Sequence, residues 1–402
     1  MKILAIETSC DETSVAIIET SGARRQPSIR VLVHFVSSQI ELHAQFGGVV
    51  PNLARREHER LLVPLIVKAL KKSKISARGG SASGGKSQNK IEEILEREPD
   101  LVVEFKKKIV PLSIPDIDAI AVTNGPGLAP ALWVGVNCAK ALSLVWKKPI
   151  IPMNHMKGHI FSALLQCGKK NDQFSARGGS AFGGQIPNFK FPLLALLVSG
   201  GHTELVLMKK FGSYEIIGET LDDAAGEAFD KVARMLDLGY PGGPAISAQA
   251  EKNFQFPISN FQIRFPRPMI QSKDFNFSFS GLKTSVLYFI RDLADKKSVR
   301  AYTPAIAKEF QDAVVDVLVT KTIRAAQLYK AKTIIVGGGV SANKLLRERL
   351  AVEVKDKCKG VDFFVPHPSV TGDNALMIAL AAVLDGNKKA PDKIGAEGNM
   401  RL

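Results

Sequence analysis

Two distant stretches of the chain are written alike. Residues 1–19, MKILAIE-TSCDET-SVAIIE, read as an apolar strand, a polar turn and a second apolar strand, and residues 192–209, PLLALLV-SGGHT-ELVLMK, read the same way. Apolar runs of this length, alternating or continuous and broken by a short polar turn, form antiparallel hairpins. Two hairpins alone are common in β-rich enzymes. Here each opens one half of a 402-residue chain and is followed by further strands and helical stretches. The expectation is a duplicated α/β lobe.

A second repeated unit supports the doubling. The apolar strand IDAIAVT (117–123) runs through the Gly/Pro turn of 124–130 into an Ala/Leu/Val-rich stretch with the spacing of a buried helix. Near the end of the second half, TIIV (333–336) runs through three glycines into SANKLLRERLAVEV, with Ser341 expected as the helix N-cap. A strand, a glycine turn and a helix N-terminus together favour anions, because free backbone N–H groups and the helix dipole point at them.

Two segments interrupt this pattern, at about 72–112 and 167–190. They carry the near-identical decamers SARGGSASGG (76–85) and SARGGSAFGG (175–184). Such Gly/Ser-rich stretches bury too little side chain to offset ordering entropy, so both are expected as flexible surface loops. Neither ends in the Gly-Lys-Ser/Thr of a phosphate loop. A short helix is expected within 91–108, broken at Pro99. The net charge of +15 invites a polyanionic partner, but residues 71–109 hold ten Lys/Arg against six Asp/Glu and residues 168–190 hold four against one. What remains is a moderate basic bias compatible with RNA. The N-terminus lacks the features of a signal peptide and no run of 18 apolar residues occurs, so no membrane association is expected. The cysteines, Cys10, Cys138, Cys167 and Cys358, are scattered without a CxxC, which suits a reducing cytoplasm.

The pentad HMKGH (155–159) puts two histidines four residues apart at the start of a predicted helix, the spacing of a metal-ligand pair. On its own such a pair is more often structural. Asp373 precedes the apolar helix of 374–385, where it reads either as an N-cap or as a third ligand. The first turn gathers Glu7, Asp11 and Glu12 where an ordinary reversal would use Asn-Gly, and the second offers Gly200 and Gly201 for close approach of a ligand. The segment 219–243 offers Asp222, Asp223, Glu227 and Asp230 ahead of a helix that ends at a Gly-Tyr-Pro-Gly-Gly turn, and periodicity leaves open whether Asp230 faces solvent or a cleft. The alternating phenylalanines of FNFSFSGLKT (275–284) read as core.

In this order, IETSCDETSVAI, HAQFGGVVPNLARREH, GPGLAPALWVG, NHMKGH, LLVSGGHTELV, DDAAGEAFDKVARMLDLGYPGGP, FSFSGLKT, AIAKEFQDAVVDVL, GGGVSANKLLR and TGDNALMIA closely resemble the tRNA N6-threonylcarbamoyladenosine transferase family, the bacterial TsaD proteins and their Kae relatives. The resemblance covers nearly the whole chain outside the insertions. It implies the two-lobed fold of actin, sugar kinases and the Hsp70 ATPase domain (ASKHA), with an N-terminal lobe at 1–190, a C-terminal lobe at 191–373, and 374–402 returning to the first lobe.

The same resemblance implies metal ligands at His155, His159 and Asp373, holding one divalent ion, Fe(II) ahead of Zn(II). It implies substrate contacts at Leu197, Val198, Ser199, Gly200, Gly201, Asp230, Gly243 and Asn343, and catalytic groups at Asp11 and Glu12. The implied reaction transfers a threonylcarbamoyl group from threonylcarbamoyl-AMP to the N6 amine of the adenosine beside the anticodon, in tRNAs reading codons that begin with A. Implied partners are a paralogous non-catalytic subunit (TsaB type) and a small ATPase (TsaE type). Departures from the family pattern are Ala129-Pro130, Trp133, and Ser247 where some members carry a ligand-contacting Asp. The rival reading is a small-molecule kinase or ATPase of the same fold, against which the histidine pair speaks, because magnesium on phosphates prefers carboxylate and water. A zinc protease lacks its Glu in HMKGH, and a non-catalytic paralogue is expected to have lost the His pair and Asp373.

Overall fold

The computed structural model describes residues 1–23, 26–81, 85–165, 182–252, 263–293 and 296–402. They form two compact units: Met1–His43, Val49–Asn188 and His367–Leu402 make the first, and Ala44–Gly48 with Phe189–Pro366 the second. The chain re-enters the first unit at His367, ahead of the expected return at 374, and this assigns Asp373 to the same unit as the two histidines.

The strands of the first unit are β1 (Lys2–Glu7), β2 (Glu12–Ser21), β3 (Ser28–Ser38), β4 (Ala77–Ser81), β5 (Ser113–Pro115), β6 (Ala119–Gly125), β7 (Ile150–Asn154) and β8 (Phe182–Gln185). Those of the second are β9 (Leu193–Val198), β10 (Thr203–Met208), β11 (Glu215–Glu219), β12 (Thr333–Gly337) and β13 (Asp362–Phe364). The first sheet runs β7-β6-β1-β2-β3-β8 and the second β11-β10-β9-β12-β13. In each, the opening hairpin is antiparallel, with Ala5 opposite Ala16 and Leu196 opposite Leu205. In each, the hairpin's first strand then pairs in parallel with a strand reached by a helical crossover, β6 in one sheet and β12 in the other. The connectivity is duplicated apart from β8, and the doubled unit is that of the ASKHA fold. Central strands β1 and β9 are buried on both faces, which is why they read as continuous apolar runs.

The helices are α1 (Ile40–Ala44), α2 (Pro51–Ser73), α3 (Gly85–Ile94), α4 (Pro99–Lys108), α5 (Ala129–Trp146), α6 (His155–Ser162), α7 (Ala225–Met235), α8 (Gly242–Ala250), α9 (Ser280–Asp292), α10 (Lys296–Leu328), α11 (Lys344–Lys357) and α12 (Ala375–Asp385). By length and composition α5 alone among the described residues qualifies as a membrane span, yet 72% of that window is buried within the protein. Its Val134, Cys138, Leu142 and Val145 pack with Leu4, Ile6, Leu62 and Ile66 in the first unit's core. Helix α12 packs against α6, β1 and β2. In the second unit Phe229 and Phe310 meet edge to face at 5.1 Å, and Phe275, Phe277 and Phe279 are buried, as their alternation predicts.

The first insertion corrects its expectation. Its described residues are not a loose loop: β4 pairs with β5, and Ile91, Leu95, Leu101, Phe105 and Ile109 enter the core. The helix expected within 91–108 is present, with a break before Pro99, which opens α4, and the i, i+4 spacing of Leu101, Phe105 and Ile109 turns one face of α4 to the core. Of the second decamer, all but its last residues lie outside the described residues; those belong to β8, which pairs with β3.

Candidate metal centre and nucleotide cradle

Strand β7 delivers the chain to α6, whose N-cap is Asn154: its side-chain oxygen accepts from the N–H groups of Met156 (2.9 Å) and Lys157 (3.2 Å). His155 and His159 therefore leave successive turns of one helix on one face. Between them, Gly158 lets α12 approach, since a Cβ there would sit 3.0 Å from Ile378 Cδ1 and Met377 Cγ. Lys157 Nζ reaches Asp385 Oδ2 at 2.8 Å near the far end of α12, and Ala375 N–H donates to Ser14 Oγ at 2.9 Å at its start. These contacts fix the start of α12, and with it Asp373, opposite the histidines.

Asp373 is not the N-cap of that helix. Asn374 takes the role, accepting from Met377 N–H at 3.0 Å, and this leaves the Asp373 carboxylate to face inward. Asp373 Oδ1 lies 3.3 Å from His155 Nε2 and 3.2 Å from His159 Nε2, and the two Nε2 atoms are 3.1 Å apart. Donors bound about 2.1 Å from one ion are about 3.0–3.4 Å apart in tetrahedral or octahedral geometry. The set fits a divalent metal.

Behind it, His155 Nδ1 lies 3.2 Å from Glu7 Oε2 and 3.1 Å from Ser9 Oγ. Glu7 is fully buried and also accepts from Ser9 N–H (2.6 Å) and Thr123 Oγ (2.5 Å). Burial disfavours charge on His155, but Asp373 and then Glu7 override it and raise the imidazole well above its ordinary value. Burial lowers His159. Burial opposes ionisation of Asp373 as well, yet His155 and His159 hold it far below the usual carboxylate range. Glu12 is raised well above that range by burial, then by Asp373 and by its hydrogen-bonded neighbour Asp11. The Cys10 thiol is likewise pushed up, by burial and by Asp11, so its surroundings favour the thiol over the thiolate.

The second unit builds a different surface. Gly200 and Gly201 follow β9, Gly338 and Gly339 follow the parallel neighbour β12, and Gly242 and Gly243 open α8. At Gly200, Gly201, Gly243 and Gly339 a Cβ would meet nothing within 4 Å, so bare backbone faces open space. Gly338, with φ +88°, is packed instead: a Cβ there would lie 2.3 Å from Val198 O. Asp230 Oδ1 accepts from Gly242 N–H at 2.7 Å and holds the start of α8. Asn343, not Ser341, is the N-cap of α11, accepting from Leu346 N–H at 2.9 Å; Ser341 lies in a preceding short 3-10 turn, Gly339–Ala342. Open glycine backbone beside two helix N-termini is the kind of surface that suits an anion.

A profile of the TsaD family, tRNA N6-adenosine threonylcarbamoyltransferase, matches residues 30–79 and 99–380. The chain belongs to that family. A member from Ralstonia pickettii (strain 12J) is 42% identical over 386 residues, 96% of this chain and 91% of that one. Another from Bacillus subtilis (strain 168) is 40% identical over 401 residues, 99% of this chain and 95% of that one. Among solved structures, full-length HypF in its phosphate- and nucleotide-bound form shares 13% identity at a TM-score of 0.47, over 96% of this chain and 46% of that one.

Of the residues expected from the tRNA N6-adenosine threonylcarbamoyltransferase pattern, His155, His159 and Asp373 converge, with Asp11 in the adjoining β1–β2 turn and Glu12 opening β2. Leu197 and Val198 turn their side chains into the core and leave only backbone to a ligand. Ser199 closes its own turn, accepting from His202 N–H at 3.1 Å. Glu7 is one of the three first-turn carboxylates that point to an active-site edge, but its place behind His155 goes beyond that expectation. Gln311, mid-helix in α10, carries no signal in the sequence.

Proposed function

We propose that this chain transfers the threonylcarbamoyl group of threonylcarbamoyl-AMP to the N6 amine of the adenosine beside the anticodon, in tRNAs reading codons that begin with A. The observation that carries the reading is the convergence of His155, His159 and Asp373 in a chain that belongs to the threonylcarbamoyltransferase family. In the reaction the amine nitrogen bonds to the carbamoyl carbon, the bond from that carbon to the AMP phosphate oxygen breaks, and the amine loses a proton. AMP is already a good leaving group, so positioning and charge stabilisation suffice without a covalent intermediate.

His155, His159 and Asp373 would hold the divalent ion, Fe(II) ahead of Zn(II). When bound, it supplies positive charge for oxygens of the threonylcarbamoyl group. Glu7 keeps His155 oriented, and the glycine backbones at 200–201, 243 and 339 cradle the adenylate. Asp11 or Glu12, in and beside the adjoining turn, accepts the amine proton. A paralogous TsaB-type subunit and a TsaE-type ATPase complete the working assembly.

The test incubates the chain with those partners, an adenylate-supplying enzyme, threonine, bicarbonate, ATP and unmodified tRNA, followed by nucleoside mass spectrometry. Threonylcarbamoyladenosine is expected with the wild type and lost with His155→Ala. Undiminished product from a metal-free His155→Ala enzyme removes the metal role, and ATP consumption without modified tRNA favours the kinase reading.

A further inference from the structure

Gln311 is tied to Asn343 and Ser247, each a few residues from an open glycine, with the polarity of its amide fixed by a backbone group two residues removed in a hydrogen-bond chain. Leu346 N–H donates to Asn343 Oδ1 at 2.9 Å, so that oxygen is assigned and the other end of the Asn343 amide must be its NH2. Asn343 Nδ2 lies 2.8 Å from Gln311 and 3.2 Å from Ser247 Oγ. A donor must meet an acceptor, so the Gln311 atom at that contact is Oε1. Ser247 Oγ donates to the same oxygen at 2.8 Å. Both lone pairs of Oε1 are thereby used, and the Gln311 NH2 points away from the cluster.

Gln311 is 7% exposed, yet among the described residues nothing accepts from its Nε2, and that nitrogen is not sealed from solvent. A nearly buried amide with two uncommitted donors is costly unless a ligand or water takes them. Its neighbours say where it lies. Ser247 is one turn along α8 from the open Gly243, on the same face. Asn343 follows the open Gly339 and starts α11.

We propose that Gln311 is a nucleotide-binding residue, whose NH2 donates to an acceptor oxygen of the nucleoside monophosphate held by the glycine cradle. Ser247 and Asn343 are its positioning residues, locking the amide so that it presents donors. The inference rests on the adenylate-cradle reading and adds the group that reads the ligand there.

The test is calorimetric titration of the purified chain with AMP and with adenosine. Gln311→Glu keeps an oxygen that accepts from Ser247 and Asn343 and so preserves the internal ties, but it has no donor to offer. Gln311→Met removes the donors without adding charge. AMP is expected to bind at least tenfold more weakly to Gln311→Glu and three- to tenfold more weakly to Gln311→Met, with unchanged melting and unchanged Zn(II) binding in the first unit. Ser247→Ala, which leaves Asn343 to orient the amide, is expected to lose less than threefold. A parallel loss for uncharged adenosine with Gln311→Glu supports a hydrogen bond to the sugar or base over charge repulsion, and a loss for AMP alone with Gln311→Met supports one to the phosphate. If the wild type binds AMP and both variants match it, Gln311 serves only to tie helices together and the inference is overturned. If the wild type itself does not bind AMP, the cradle reading falls, and this inference with it.

Discussion

Replacing Glu7 with Gln changes one atom of a fully buried group and reverses a tautomer elsewhere. Glu7 offers only acceptors, to Ser9 N–H at 2.6 Å, Thr123 Oγ at 2.5 Å and His155 Nδ1 at 3.2 Å. With Nδ1–H committed to Glu7, the proton a metal displaces from His155 is the one on Nε2, the atom 3.3 Å from Asp373, and that nitrogen then offers its lone pair. The Gln amide must turn its NH2 to one of two sides. Toward Ser9 it opposes a backbone N–H that cannot reverse, so it turns toward Thr123 and His155. The Thr123 hydroxyl can rotate. His155 can satisfy the new donor only by moving its proton to Nε2, where it blocks the ligand lone pair. Loss of such an outer partner costs about 10–100-fold in metal affinity, or about 1.4–2.7 kcal/mol. Zn(II) titration calorimetry on metal-stripped protein, with side-chain nitrogen NMR of the histidines, reads both affinity and tautomer. Equal affinity, or an unchanged His155 tautomer, would refute the reasoning.

Gly158→Val retains every metal ligand but drives methyl groups into Ile378 and Met377; an overpacking cost of about 1–3 kcal/mol and weaker Zn(II) binding are expected by denaturation and calorimetry. Gly338→Ala adds a Cβ against Val198 O in a backbone region suited to glycine, and should cost about 1–3 kcal/mol in urea unfolding while weakening AMP binding. His58 is fully buried, and burial lowers its pKa although the Cys10 carbonyl accepts from its Nε2 at 2.9 Å. Below the unfolded value of about 6.5 the unfolded chain takes the proton first, so stability falls as pH drops from there, by at most about 1.4 kcal/mol per pH unit. Urea midpoints at pH 7.5 and 5.5 should therefore diverge more for the wild type than for His58→Gln.

What the sequence made legible was whatever local patterning controls. The two hairpins, the strand–glycine–helix units and the histidine pair depend on apolar period and turn chemistry within a few residues, and they stand where expected. Helix starts were missed by one or two positions, because at 373–374 and 341–343 two capping residue types compete and tertiary contacts choose. Asn374 and Asn343 win by accepting from their own helices, and the displaced Asp373 becomes available to His155 and His159. The first insertion holds the helix expected within 91–108, and its apolar spacing ties the segment to the core more firmly than the Gly/Ser-rich decamer beside it implies. The sequence marks Glu7 as part of an acidic turn, but its contact with His155, like that of Gln311 in the middle of α10 with Asn343 and Ser247, exists only because the fold brings those residues together.

The metal-ligand set draws on the beginning, middle and late part of the chain: Glu7 stands behind His155, and Asp373 enters with α12. Nearly every side chain of α12 is buried in the first unit. That unit therefore cannot close its core, or assemble its three ligands, until residues 367–385 have been synthesised, whereas the second unit's residues precede them all. On the ribosome the cradle can mature first, and the nascent first unit carries exposed β-sheet and two unpaired histidines until its last helix arrives. Truncation before α12 removes far more than a terminal segment: it leaves a chain whose metal site was never made.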